Sequence, residues 1–348
     1  MYRDERNEHT VRILLLEYVT GGGLTPTPSI ASLIAEGRLM RDALLTDLAE
    51  TPGTAVRFMQ HASFEDPPLS GEYPIQRVAV AAERVFEDCW QAELALCDAV
   101  WPIAPETDGL LARLCRDAEA AGRVLLTAPA DAVALTASKL RTIATLREAG
   151  VPAVPTEAAD PALPPNLPFP IVVKPDDGAG CAGIRILRTE AEWRDWSTRT
   201  GTAGWVVQPL VAGEHRSLSA IFAAGRAQLL SCNGQHLRMA DGGLELEACT
   251  VNLKGIDWDA AQQLAAAVAA AIPRLWGYAG IDFIQSRRGP KVLEVNPRLT
   301  TSYVGLRPAL GINVASHVIQ LSRTGRLPAP TRPHGHSVRI EIPLHHAN

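Results

Sequence analysis

The sequence predicts a mixed α/β and α+β protein: an open α/β unit followed by two α+β units. Three observations predict it. Apolar strand runs alternate with helical segments through residues 1–128, the pattern of a sheet covered by helices on both faces. Residues 129–203 contain a strand hairpin with a long Gly-rich tip. Residues 204–330 bring further strands, a long Ala-rich helix and a strand pair that carries acidic residues, and residues 331–348 read as a C-terminal tail.

In the first unit, Val11–Glu17 (VRILLLE) is a continuous apolar run, as a strand buried on both faces requires. Gly21, Gly22 and Gly23 read as a turn, and a helix is predicted from Ser29, as N-cap, to about Leu48. Asp98–Ala104 reads as a second buried strand, Asp108–Ala121 as a helix and Arg123–Leu126 as a short strand. Such a sheet binds ligands at the carboxyl ends of its strands. In the second unit, Thr136 and Ser138 can cap a helix that carries Leu140, Ile143 and Leu146 and stops at Gly150. The five prolines of Pro161–Pro170 mark a loop or rigid linker. Phe169–Pro175 and Ile184–Arg188 are strands that flank the Gly-rich tip, and a short helix covers Ala191–Thr198. In the third unit, Trp205–Leu210, Ser217–Ala223 and Ala227–Cys232 are strands. Asp257 caps a helix to about Trp276. Ala279–Gln285 and Lys291–Asn296 form a strand pair, and a last helix covers Asn313–Ser322.

Composition narrows the function classes. The chain has 348 residues, of which 47% are hydrophobic, enough for a large core. A net charge of −5 leaves no basic footprint for nucleic acid and no polybasic patch for a membrane. The polar start of the chain does not read as a signal peptide, and the apolar stretch at Leu264–Ile272 is too short to span a bilayer. A cytoplasmic protein with free thiols is therefore expected. The six cysteines form no C-x-x-C pair, and the histidines form no metal-ligand pattern. His334, His336, His345 and His346 are expected on surface chain. No residue pattern spells a symmetric interface; a homodimer is only the general expectation for oligomers.

Five constellations carry chemistry. Lys174–Gly183 (KPDDGAGCAG) places a lysine at a strand end before a loop that contains Gly178, Gly180 and Gly183. Glycines let backbone N–H groups approach phosphate oxygens, and the lysine adds a point charge. The loop lacks a Gly-Lys-Ser/Thr ending and is followed by a strand, so it is neither a Walker A loop nor a dinucleotide fingerprint. A plain hairpin tip with a solvated lysine stands beside that reading. Second, Glu294 and Asn296 lie two apart on one strand and project together. Asp282 on the preceding strand can face them. Two carboxylates and an amide oxygen suit Mg²⁺ that also touches phosphates; a solvated face paired with arginines is the bland alternative. Third, Arg298 could steady a transferring phosphoryl group or an oxyanion, or pair with Glu294. Fourth, Gln208, Pro209, Leu210 and Val211, followed by Glu214 and His215, form a strand end whose free backbone groups suit an adenine, with an acidic residue for ribose; a plain strand end explains them as well. Fifth, Lys139 opens a helix, where a cation opposes the dipole unless an anion lies near.

These pieces in this order resemble the ATP-grasp superfamily over nearly the whole chain. The resemblance implies an ATP-grasp fold: a pre-ATP-grasp domain at 1–128, a subdomain with the phosphate loop at 129–203 and a subdomain with the metal site at 204–330. It implies ATP and Mg²⁺, or Mn²⁺, as cofactors. Lys139 and Lys174 would touch phosphates, Gly178, Gly180 and Gly183 would close over them, and Gln208, Leu210 and Val211 would read the adenine. Glu214 or His215 would contact ribose, and Asp282, Glu294 and Asn296 would hold the metal, with Arg298 and Lys174 catalytic.

The stretches VNPRLTTSYVGL (Val295–Leu306), GYAGIDF (Gly277–Phe283), Leu16–Tyr18, IAPET (Ile103–Thr107) and CNGQ (Cys232–Gln235) are similar to the tyramine–glutamate ligase branch of methanofuran-type cofactor biosynthesis. That resemblance implies a small-molecule carboxylate and an amine as substrates, sorted by Glu17, Gly22, Asn233, Gln235, Thr300, Thr301 and Tyr303. Tyr303 could stack on a phenolic ring or serve the core. Two departures are Pro175, where a second lysine is common, and Cys181 inside the Gly-rich loop. The reaction implied joins L-glutamate, through its γ-carboxylate, to tyramine by way of an acyl phosphate. A ligase for another amino acid or a growing glutamate chain, and a non-catalytic ATP-binding regulator, are the competing readings. ATP binding without ADP release in the presence of many amines would favour the last. Glu294→Ala is expected to abolish turnover with little effect on folding; unchanged ATP-dependent turnover overturns the metal assignment.

Overall fold

The computed structural model describes residues 10–68, 74–81, 85–178, 183–240, 243–330 and 335–342. Gly180, Cys181, His334, His345 and His346 lie outside the described residues. The chain opens on β1 (Val11–Glu17), buried from Ile13 onward as its unbroken apolar run requires. The glycines expected to form a turn are instead the end of one π-helical turn, Val19–Gly23. Gly22 there has φ +96°, and a Cβ would meet Val80 at 2.6 Å, so packing alone demands glycine.

Helix α1 (Ala31–Ala49) starts later than expected. Ser29 does not cap it; its hydroxyl pairs with Thr27, and a 3₁₀ turn, Pro28–Ile30, leads in. β2 (Thr54–His61), β3 (Ile75–Val80) and α2 (Phe86–Leu96) follow, in a stretch where sequence reading placed no elements. β4 (Ala99–Ile103), α3 (Leu110–Ala120) and β5 (Val124–Leu125) match expectation to within a few residues. All pairings in this sheet are parallel, in the order β3-β2-β1-β4-β5. The order reverses beside β1, so a crevice opens at the carboxyl ends of β1 and β4.

Two helices, not one, open the next unit: α4 (Ala130–Ala137) and α5 (Lys139–Glu148). Ser138 divides them and caps α5, accepting from the Arg141 N–H at 3.2 Å. Thr136 does not cap; it sits inside α4 and donates back to Ala132 O. β6 (Glu157–Ala158), β7 (Ile171–Pro175), β8 (Arg185–Leu187), α6 (Glu190–Thr200) and β9 (Trp205–Pro209) complete the unit. Its four strands pair antiparallel in the order β6-β9-β7-β8, over a small core of Ile171, Val173, Leu187, Trp193 and Val207.

The third sheet runs through β10 (Glu214–Ala223), β11 (Arg226–Ala240), β12 (Gly243–Val251), β13 (Gly277–Ser286) and β14 (Gly289–Asn296). Helix α7 (Trp258–Ala271) lies between β12 and β13, and Asp257 caps it as expected. Helices α8 (Ser302–Leu310) and α9 (Val314–Thr324) follow; α8 had not been expected, and Asn313 caps α9. The segment expected to be a tail contributes β15 (Val338–Glu341), which pairs with β12 and closes the six-stranded order β14-β13-β10-β11-β12-β15. His336, in the same segment, accepts from Asn252 through its backbone oxygen.

Two large cores tie the first sheet to the third. One joins Leu14, Leu16, Trp90 and Val100 to Phe222, Ile281 and the apolar side of α7. The other joins Ile13, Leu15, Trp101 and α1 to Tyr278, Tyr303 and α9. The four-stranded sheet keeps its own core, and it faces the third sheet across a cleft. Among the described residues no helix is long and apolar enough to cross a membrane. The cysteines described are free; Cys115, Cys232 and Cys249 are buried, and burial pushes their thiols up to about 12, 11 and 11.

Tyr303 belongs to this core and does not present its ring to a ligand. It is 2% exposed, stands edge-on to Tyr278 with centroids 5.4 Å apart, and donates its hydroxyl to Asp47 Oδ2 at 2.7 Å. Arg307 also donates to Asp47, at 3.1 Å. Tyr303→Phe removes one donor from a buried carboxylate, so it is expected to lower stability by about 1–3 kcal/mol. Urea unfolding checks this, and binding of a nucleotide to the folded variant should not change.

Candidate active site

β13 and β14 pair so that Asp282 faces Glu294 and Gly280 faces Asn296. A bulge follows at Asp282/Phe283, which leaves Leu293 as the extra residue. Directly opposed residues of an antiparallel pair share a face, so both carboxylates lie on one patch. The Asn296 amide donates to Asp282 Oδ2 at 3.3 Å. Half a turn of that amide presents its oxygen instead. Gln235 also bonds to Asp282.

Two lysines close on this pair. Lys139 is the first residue of α5, and its Nζ lies 3.7 Å from Glu294 Oε2; Lys174 Nζ, from the end of β7, lies 3.9 Å from the same oxygen. Both lysines are buried. Glu294 is thus the anion that offsets a cation at the start of a helix. Lys139 Nζ also donates to Gly178 O at 2.6 Å and to Asp176 O at 3.3 Å, while Asp176 Oδ1 accepts from the Leu140 N–H. The start of the Gly-rich loop is therefore stitched to the N-terminus of α5. At its far end Gly183 has φ +78°, and a Cβ would crowd Pro175 and Trp205. Pro175, the departure noted in the sequence, lies against both Gly178 and Gly183.

The two carboxyls differ in environment. Burial opposes the charge on Glu294, but Lys139, Lys174 and Arg298 together hold its carboxyl below the ordinary value. Asp282 gets no such help: burial, and then the neighbouring Glu294, push it up to about 7. A desolvated carboxylate pair with one member so disfavoured is a place for a cation. Among the described residues no three His, Cys, Asp or Glu side chains gather into a metal site. The set is two carboxylates and one amide, which suits a hard ion that keeps its other positions for phosphate oxygens and water.

Two cavities meet at this pair. The first lies between the four-stranded and six-stranded sheets and is lined by Lys174, Gln208, Leu210, Val211, His215 and apolar residues such as Leu237 and Ile284. The Gln208 side chain donates to Thr156, and the Leu210 N–H donates to Pro170 O at 3.0 Å. That N–H, expected free at this edge, is therefore committed to the protein. His215 faces the cavity, and burial, then Lys174, lowers its pKa. Glu214 is 72% exposed and bound to Arg216. The strand's alternation thus turns His215, not Glu214, toward the cleft.

The second cavity is lined by residues that include Glu36, Ser217, Arg298, Thr300, Thr301 and Ser302, and it shares Gln235, Leu246, Asp282 and Glu294 with the first. Arg298 pairs with Glu106 at 3.0 Å and donates to Leu299 O; it makes no ion pair with Glu294, the partner weighed for it from sequence. Of the substrate residues expected, Gln235, Thr300 and Thr301 line this cavity. Glu17, Gly22, Asn233 and Tyr303 do not. Glu17 holds the π-helical turn, accepting from the Val19 and Thr20 N–H groups and the Thr20 hydroxyl. Asn233 is buried in a network with Ser217, Ser219 and Ser231. Glu36 and Glu106 were missed. Glu106 lies just past the carboxyl end of β4, where an open sheet places functional groups. Glu36 gave no signal, as one acidic residue on a helix.

Residues 136–302 match the model of an ATP-grasp domain, and residues 56–133 that of a pre-ATP-grasp domain. The tyramine–L-glutamate ligase of Methanocaldococcus jannaschii is 25% identical over 299 residues, covering 85% of this chain and 84% of that protein. Among solved structures, an ATP-grasp superfamily protein from Archaeoglobus fulgidus aligns with TM-score 0.67 and 21% identity over 96% of this chain and all of that one. The L-amino acid ligase of Bacillus licheniformis aligns with TM-score 0.64 and 16% identity over 91% of this chain and 75% of that one. The structural likenesses agree on the fold.

Asp282→Asn keeps the side chain's shape and removes one of two like charges. In EDTA the variant is expected to be at least as stable as the parent, by on the order of 1–3 kcal/mol. Mg²⁺ should raise the melting temperature of the parent in the presence of an ATP analogue and leave the variant nearly unmoved.

Proposed function

The chain belongs to the ATP-grasp superfamily, and on that premise we propose that it is an ATP-dependent carboxylate–amine ligase that joins L-glutamate, through its γ-carboxylate, to tyramine. One observation carries the chemistry: the Asp282–Glu294 pair sits beneath two lysines at the junction of two cavities. A group bound in one cavity can thus react with a group bound in the other. The substrate pair is supported by the similarity to the tyramine–glutamate ligase. It agrees with the methanofuran-type pathway that the sequence resemblance implies.

The residues divide the work as follows. The apolar walls, Leu210, Val211, Leu237 and Ile284, take an adenine, with His215 beside them for ribose. Lys139 and Lys174 set two positive charges toward the phosphates. Asp282, Glu294 and the Asn296 amide would hold Mg²⁺ or Mn²⁺, which when bound offsets phosphate charge and orients the γ-phosphoryl group. Arg298, fixed by Glu106, points its guanidinium into the second cavity, where charge develops as the substrate carboxylate attacks. Attack on the γ-phosphorus expels ADP and leaves the acyl phosphate, whose carbonyl carbon the amine then attacks, losing a proton as phosphate leaves. Placement between two sheets keeps water from that intermediate.

The test is phosphate release from ATP and Mg²⁺ with L-glutamate, with and without tyramine, and mass spectrometry of the product. Release that depends on both, with a condensed product, is the expected result. Release that needs a different acid and amine keeps the ligase and replaces its substrates. Tight nucleotide binding with no release for any pair means a non-catalytic nucleotide binder.

A further inference from the structure

The second cavity is bounded on one side by the Asp282–Glu294 pair and on another by Glu36, which reaches in from α1 of the first unit. Glu36 accepts a hydrogen bond from the Thr301 hydroxyl. Among the described residues it forms no ion pair. Arg298, the basic side chain that shares its cavity, gives Nε to Glu106 and Nη1 to Leu299 O. Nor is Glu36 a third carboxylate of the metal site, because no three acidic, His or Cys side chains gather there among the described residues.

Four hydroxyls, with Leu246, Cys249 and the Gln235 and Asn296 amides, make up the rest of the lining. Ser217 and Ser302 face each other with oxygens 3.5 Å apart, and Thr300 and Thr301 stand beside them. A carboxylate with spare lone pairs, ringed by hydroxyl acceptors, fits a donor-rich cation of small size. A primary ammonium has three N–H donors, and its hydrogen bonds to a carboxylate are among the strong ones. A second carboxylate-bearing group would instead meet repulsion at that wall.

We propose that Glu36 binds a primary ammonium group of the substrate, so that the second cavity admits amine-bearing molecules and rejects their deaminated counterparts. The assignment rests on the ligase reading of the site and deepens it. Two sources share this chemistry: the α-ammonium of the acid substrate and the ammonium of the amine substrate. The first leaves the ammonium in place while the far carboxylate reacts. The second requires that a proton leave the nitrogen before attack, which Glu36 is positioned to accept.

The experiment measures binding rather than turnover. The full chain, saturated with Mg²⁺ and a non-hydrolysable ATP analogue, is titrated calorimetrically with L-glutamate and glutarate, and with tyramine and 4-ethylphenol. The parent should prefer at least one ammonium probe over its deaminated partner, and Glu36→Gln should lower that probe's affinity by about tenfold or more while barely moving the deaminated partner. Loss confined to L-glutamate assigns the α-ammonium; loss confined to tyramine assigns the amine substrate. Unchanged affinity for both ammonium probes in Glu36→Gln overturns the proposal, as does a parent that binds neither preferentially. Unchanged affinity for the ATP analogue shows that the variant is folded; where it is not, Glu36→Asp, which keeps the charge and shortens the arm, decides by the same comparison. The ligase reading fails separately: a parent that shows the ammonium preference but releases no phosphate keeps Glu36 and loses the ligase.

Discussion

Asp282 and Glu294 face each other on adjacent strands with little access to water, and two carboxylates so placed repel unless positive charge shares the space. Much of the architecture around them answers that constraint. Lys139 comes from the first turn of α5, Lys174 from the end of β7 and Arg298 from the chain just past β14, three elements far apart in sequence. The four-stranded sheet is held to the six-stranded one partly by these charges: Lys139 links Glu294 to the Gly178 and Asp176 carbonyls and so fixes the start of the loop. The arrangement satisfies Glu294 and leaves Asp282 wanting. A divalent cation beside the pair would complete the balance, and that asymmetry makes the donor set read as a binding site rather than a structural ion pair.

The division of the chain into an open sheet and two further units was legible because it rests on local signals. An apolar run such as Ile13–Leu16 cannot be solvated, and a cap such as Asp257 or Asn313 writes its helix start into one residue. The convergence of Asp282, Glu294 and Asn296 was legible for the same reason: Glu294 and Asn296 are two apart on a strand, and period two puts them on one face. What failed was decided by packing. Gly22 and Tyr303 resemble ligand residues in sequence, yet each is fixed by a neighbour distant in the chain, Val80 and Asp47. Ser29 and Thr136 have the chemistry of caps and satisfy other partners instead. Helix α8 and strand β15 carry too little periodicity in so few residues to announce themselves.

Glu36 and Glu106 show a different limit. Both sit in the first unit, and both border a cluster whose carboxylates, lysines and arginine belong to the other two. The topology explains why. The strand order reverses beside β1, which opens a crevice at the carboxyl ends of β1 and β4. The two large cores lock that crevice against the third sheet, and the Thr127 hydroxyl donates across the junction to Pro297 O, between Asn296 and Arg298. The first unit is therefore a wall of the reaction space. A residue on such a wall needs no motif of its own, because its meaning comes from what faces it.

The two cavities share a boundary rather than a volume, and this bears on how a reactive acyl phosphate survives. If nucleotide and substrate entered one open basin, water would reach the activated carbonyl as readily as an amine would. Here the first cavity is walled mostly by apolar residues, and the second carries four hydroxyls that already have partners: Ser217 and Ser302 each other, Thr301 Glu36, and Thr300 Tyr278. Gln235, Leu246, Asp282 and Glu294 line both, so groups bound on the two sides meet along that strip. Arg298 lines the second cavity and not the first, and its pairing with Glu106 holds the guanidinium in place. A preset charge needs no reorganisation as the transition state forms, which is where electrostatic stabilisation has most effect. Arg298 feels the charge of Glu36 as well as that of Glu106, but its hydrogen bonds go to Glu106 and Leu299 O, so Glu36 keeps its carboxylate oxygens for other donors.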